Sequence, residues 1–178
     1  MTAEKQSALQ TIEEKRDMIT GIADKIWEFA ELSLQEFKSA AAYCEALEKE
    51  GFEVERGTCN IETAFAASYG HGRPYIGLLA EYDALSGLSQ EAGVLERKAI
   101  QKGGNGHGCG HNLLGAGAFA AALGVKAYLE KNKMEGTVIL YGCPGEEGGA
   151  AKAFMARDGL WKKLDAALTW HPEDVNEV

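Results

Sequence analysis

NLLGAGAFAAALGVKAYLEK (Asn112 to Lys131), then TVILY (Thr137 to Tyr141) and CPGEEGG (Cys143 to Gly149), is the stretch whose reading decides the fold. The first segment is rich in alanine and other small residues and reads as a helix. The second is a short apolar, β-branched run bounded by turn residues, which reads as a buried strand. A tight Cys143-Pro144-Gly145 connection follows. Ala150 to Arg157 then reads as a short helix closed by Gly159, and Asp165 to Trp170 as a last strand ending on His171-Pro172. Strands alternating with helices predict βαβ units and a partly parallel sheet.

Working back towards the N-terminus, Tyr75 to Ala80, Ala64 to Tyr69 and Phe52 to Glu55 read as strands. They are parted by Gly57, Gly70 and Gly72 with Pro74. Ala3 to Ala30 reads as one long amphipathic helix, with Ile12, Ile19, Ile22, Ile26 and Phe29 at helical spacing. Ser33 followed by Glu36 is a capping-box pattern that opens a second helix, which runs to Glu50 and stops at Gly51. Asp83 to Gly108 reads as a long loop with a helical turn near Glu91 to Ile100. A loop of that length inside a domain usually has a functional purpose. The fold class expected is α/β, with a mixed, partly parallel sheet flanked by helices.

The totals narrow the function classes. The chain has 178 residues, enough for one domain with a sizeable core, and its net charge of −9 leaves no basic stripe for nucleic acid. Four irregularly spaced cysteines (Cys44, Cys59, Cys109 and Cys143) do not form a disulfide framework, so a reducing, cytoplasmic setting is expected. Leu113 to Leu129 is short for a membrane span and suits a buried helix, so no membrane partner is expected.

Three groups of potential metal ligands fall where strands end: Cys109 with His111, Glu146 with Glu147, and His171. Glu81 and Asp83 form a weaker fourth group. Each has an ordinary reading by itself. A lone cysteine is a small hydrophobe, paired acids suit a helix start, and a strand-end histidine or a capping acid needs no ligand. Together, thiolate, imidazole and carboxylate donors suit zinc or a similar divalent ion. Two consecutive glutamates can provide one ligand and one free base. The glycines flanking both clusters are expected to let the backbone approach the ions.

On these residues the chain resembles the metal-dependent aminoacylase and carboxypeptidase superfamily, with a zinc-exopeptidase-like catalytic domain. The likeness runs from Ile26-Trp27-Glu28-Phe29 through Leu79-Ala80-Glu81-Tyr82-Asp83, then His107-Gly108-Cys109-Gly110-His111-Asn112. It ends on Pro144-Gly145-Glu146-Glu147-Gly148-Gly149 and Trp170-His171-Pro172. Within that superfamily it is most similar to the branch holding p-aminobenzoyl-glutamate hydrolase and related N-acyl amino acid amidohydrolases. The resemblance implies two divalent ions, zinc or manganese, with Cys109 as a bridging thiolate and His111, Glu147 and His171 as terminal ligands. It implies Glu146 as general base, with Glu81, Asp83 and His107 standing behind the ligands. It further implies a catalytic domain interrupted by a lid or dimerisation domain, so that residues 1–178 form its N-terminal portion and a last histidine ligand follows. Homodimers, or hetero-oligomers with a related subunit, are expected of the full-length protein.

The function expected is hydrolysis of an amide in a small N-acyl or N-aroyl amino acid or a dipeptide. Two rival readings stay open on the sequence. One makes Cys109 a nucleophile paired with His111 or His107. The other makes the chain a metal-binding module without activity of its own.

Overall fold

Residues 2–175 are described by a computed structural model. Five strands, β1 (Glu53–Arg56), β2 (Phe65–His71), β3 (Tyr75–Ala80), β4 (Gly136–Gly142) and β5 (Ala166–Leu168), form one mixed sheet in the order β1-β2-β4-β3-β5. β1 and β2 pair antiparallel, as do β2 and β4, while β3 runs parallel to both β4 and β5. All seven residues of β4 are buried. Val138 and Leu140 join one core and Ile139 and Tyr141 the other. This two-sided burial is why the strand is a continuous apolar run and shows no alternation.

Helices α1 (Ala3–Glu14), α2 (Arg16–Phe29), α3 (Phe37–Lys49) and α4 (His111–Asn132) lie to one side, and the short α5 (Ala151–Arg157) lies on the other. α4 is of membrane-spanning length and apolarity, but it lies against α1, α2, β3 and β4 with ten of its residues buried. Its small residues permit that close approach. A Cβ at Gly115 would collide with the Tyr43 hydroxyl and the Glu81 carbonyl, and one at Gly117 with the Trp170 ring.

The N-terminal segment is two helices and not one. They meet at Lys15 (φ −101°, ψ 11°), whose ammonium pairs with Glu50 at 2.6 Å. The bend separates α1, which buries nothing fully, from α2, which contributes Ile22, Ala23 and Ile26 to the core. The capping box also does not form. α3 starts after Glu36 without a side-chain cap, because Glu36 and Ser33 have more distant partners. Residues 91–100 form turns and bends and no helical turn.

This topology places the cleft. From β3 the chain departs to α4 on one face, and from β4 it departs to α5 on the opposite face. Adjacent parallel strands whose connections diverge in this way leave a crevice at their C-terminal ends, where ligands collect.

Candidate metal centre

Asp83, three residues beyond β3, is the hub of the crevice. It is 1% exposed. Its Oδ1 accepts from His111 Nδ1 at 2.9 Å, and its Oδ2 accepts from the Ser33 hydroxyl at 2.8 Å and from the Glu147 N–H at 3.0 Å. One carboxylate therefore ties the β3 end to the start of α4, to the turn after β4 and to the segment before α3. Burial works to raise the Asp83 pKa, but these bonds outweigh it and hold the group below its ordinary range. Glu36 acts similarly from below. It is fully buried and accepts from the N–H groups of Leu34 at 2.9 Å and Gly145 at 2.8 Å, and burial raises its pKa.

His111 is the first residue of α4 and is fully buried. Its Nδ1 faces two acceptors, the side chain and the carbonyl of Asp83, so Nδ1 carries the proton and Nε2 points into the crevice. This carboxylate–imidazole pairing is the arrangement that orients metal-binding histidines. Burial works to lower the His111 pKa, but the Asp83 bond and the charges of Asp83, Glu81 and Glu147 raise it on balance.

Around Nε2 stand Glu81 Oε2 at 3.1 Å, Glu146 Oε2 at 3.8 Å and Glu147 Oε1 at 4.0 Å. Two donor triads share this histidine, Cys109–His111–His171 and Glu81–His111–Glu146, each with its ligand atoms within 4.8 Å of one another. Cys109 Sγ lies 3.3 Å from His171 Nε2. The Cys109 thiol is pushed up to about 11, by burial and then by its bond to Glu147 and the surrounding carboxylates. Glu146 is the more exposed of the glutamate pair, at 41% against 20% for Glu147.

These residues fit a divalent cation. Among the described residues, His111 Nε2 and Glu147 Oε1 are buried atoms without a hydrogen-bond partner, and they face each other. A cation held between them would satisfy both.

Six of the eight residues singled out from the sequence converge directly on this centre: Glu81, Cys109, His111, Glu146, Glu147 and His171. Asp83 holds His111 from behind. Glu81 stands beside His111 Nε2 in the same layer as the other donors. His107 stands apart, its Nε2 bonded to the Ile26 carbonyl at 3.0 Å. The flanking glycines lie close against neighbouring side chains. A Cβ at Gly145 or Gly149 would meet Leu34, one at Gly110 would meet Pro172, and one at Gly108 would meet Leu88. Sequence reasoning missed three residues: Ser33, Glu36 in its actual role, and Lys152, which is ion-paired with Glu81. No local pattern signals these roles, because Asp83 for Ser33, Gly145 for Glu36 and Glu81 for Lys152 lie far along the chain.

Known proteins resemble the chain in both sequence and fold. Residues 77–177 match peptidase family M20/M25/M40. The chain is 56% identical over 91% of its length to one subunit of the p-aminobenzoyl-glutamate hydrolase of Escherichia coli, covering 34% of that protein. It is 28% identical over 97% of its length to the mouse Xaa-Arg dipeptidase, covering 39% of that protein. Its backbone follows a Bacillus subtilis protein described as a dinuclear metal binding peptidase from the M20 family. That match has a TM-score of 0.72 and 22% identity, over 90% of this chain and 44% of that one. The chain thus spans between a third and two fifths of the length of these curated relatives.

Proposed function

The chain belongs to peptidase family M20/M25/M40, and from that premise we propose that it carries most of a two-metal centre hydrolysing the amide bond of a small N-acyl or N-aroyl amino acid. The observation that carries this reading is the buried, unpaired His111 Nε2, oriented by Asp83 and facing the unpaired Glu147 Oε1. Cys109, as a thiolate, with His111, Glu147 and His171 would hold zinc or manganese ions. Bound divalent ions supply charge that acidifies a water and polarises the scissile carbonyl.

The chain's own groups account for the rest of the chemistry. Glu146, more exposed than Glu147, is free to take a proton from the attacking water and return it to the leaving amine. Asp83 keeps the proton of His111 on Nδ1 throughout, so Nε2 never needs to reorient. The turn carrying both glutamates is fixed from two sides, by Asp83 at the Glu147 N–H and by Glu36 at the Gly145 N–H.

The 56% identity to a p-aminobenzoyl-glutamate hydrolase subunit supports p-aminobenzoyl-glutamate or a near relative as substrate. That relative is named as one of an enzyme's subunits, which supports assembly of the whole protein with a related subunit. A reducing cytoplasm, where a metal-binding thiol survives, is the compartment proposed.

A cysteine-nucleophile reading is disfavoured by electrostatics. A catalytic thiol needs positive surroundings that lower its pKa, whereas Cys109 lies among carboxylates and is raised to about 11. The deciding experiment is Glu146→Gln in the complete protein, assayed for release of p-aminobenzoate. Retained metal with turnover down by about 10²- to 10⁴-fold is the expected result. A variant with parental turnover refutes the assignment of the base.

A further inference from the structure

Glu81 is 4% exposed, and a carboxylate so deeply buried needs a compensating cation. One cationic side chain reaches it: the Lys152 ammonium is ion-paired with Oε1, while the unpaired His111 Nε2 lies 3.1 Å from Oε2. Lys152 is the second residue of α5, whose first turn contains no acid. A cation there opposes the helix dipole, so the helix gives no reason for its position. Its partner is 71 residues away along the chain. Four carboxylates converge on this crevice, those of Glu81, Asp83, Glu146 and Glu147. Among the described residues, Lys152 is the one lysine or arginine paired with any of them.

We propose that Lys152 is a built-in counter-ion of the centre, neutralising Glu81 when metal is absent and competing with metal for that carboxylate. The inference rests on the metal reading above and concerns how tightly this chain binds its ions. Without Lys152, Glu81 is an uncompensated buried charge in the metal-free protein, and its whole negative charge is available to an incoming cation. Without the Glu81 charge, the Lys152 ammonium is left unpaired next to the incoming cation and repels it. The two removals therefore shift metal affinity in opposite directions. A purely structural ion pair would not do this, because losing either partner would loosen the same contact.

The test measures zinc affinity by competition with a chelating indicator, beside thermal melts with zinc and after chelation. Lys152→Met is expected to bind zinc about tenfold more tightly, since the pair is partly exposed (side chain 32%) and screened. Its metal-free melting temperature should fall more than its zinc-loaded one. Glu81→Gln is expected to bind about tenfold more weakly, and Lys152→Arg to match the parent. If Lys152→Met does not fold, Lys152→Gln removes the charge while keeping a donor to Glu81, and the same gain is expected. Parental or weaker affinity in both neutral Lys152 variants overturns the counter-ion role and leaves the metal reading intact. So does tighter binding by Glu81→Gln. A parent chain that binds no zinc overturns both.

Discussion

Asp83→Asn is the perturbation with the largest consequence for the smallest change in shape. The native carboxylate accepts three hydrogen bonds, from His111 Nδ1, the Ser33 hydroxyl and the Glu147 N–H, at 2.9, 2.8 and 3.0 Å. An amide has one accepting oxygen, so its NH2 must face either His111 or the Glu147 N–H. Loss of the charge-assisted bond to His111 costs about 1.5–3 kcal/mol, and a buried donor left facing a donor costs about 1–3 kcal/mol more. Asp83 is essentially unexposed, so water cannot relieve the mismatch. The expected stability loss is therefore about 2.5–6 kcal/mol, read as a fall in denaturant midpoint with unchanged slope. The amide that faces His111 also forces the proton from Nδ1 to Nε2, the atom needed for metal. Metal affinity should fall by about 10- to 100-fold. A variant within about 1 kcal/mol of the parent that also retains metal affinity within about twofold would refute the hub role of Asp83.

Two further predictions concern the metal-free chain. Its stability should be greatest at mildly acidic pH. The depressed Asp83 pKa contributes stability that is present above 3.8 and is lost as pH falls through the folded value. The raised His111 pKa contributes stability that is full below 6.5 and is lost as pH rises through the folded value. Thermal melts across pH after chelation should show both limbs, with the alkaline one absent in His111→Gln; an unchanged alkaline limb in that variant would contradict the assignment. Gly115→Ala should destabilise by about 1–2 kcal/mol despite better helix propensity, because the new Cβ meets the Tyr43 hydroxyl and the Glu81 backbone. Gly21→Ala, which meets nothing within 4 Å, should stabilise by up to about 1 kcal/mol. Equal melting shifts for the two substitutions would show that α4 does not press on Tyr43 and the Glu81 backbone as described.

How far the sequence could be read differs between elements for identifiable reasons. Tyr75–Ala80 is a strand with the bounds expected, because Pro74 and the charged Glu81 mark both ends of an apolar run. The Cys109, His111, Glu146, Glu147 and His171 positions were readable as a group because parallel strands put their C-terminal ends on one edge. The break at Lys15 was not readable. No glycine or proline marks it, and the apolar spacing continues across it. Ser33 and Glu36 match a local capping pattern, yet both side chains form bonds to partners 50 and 109 residues away. Tertiary contacts outweigh a local motif that contributes about 1 kcal/mol. Lys152 was invisible for the same reason, since nothing near it in sequence identifies Glu81 as its partner.

Elemental analysis of the purified chain, grown with ample zinc and manganese, beside a Cys109→Ala, Glu147→Ala double variant, tests the central claim most directly. Stoichiometric divalent metal in the parent and none in the variant is the result the geometry around His111 predicts. Equal metal content in the two proteins, or none in either, would contradict a metal centre built from these side chains.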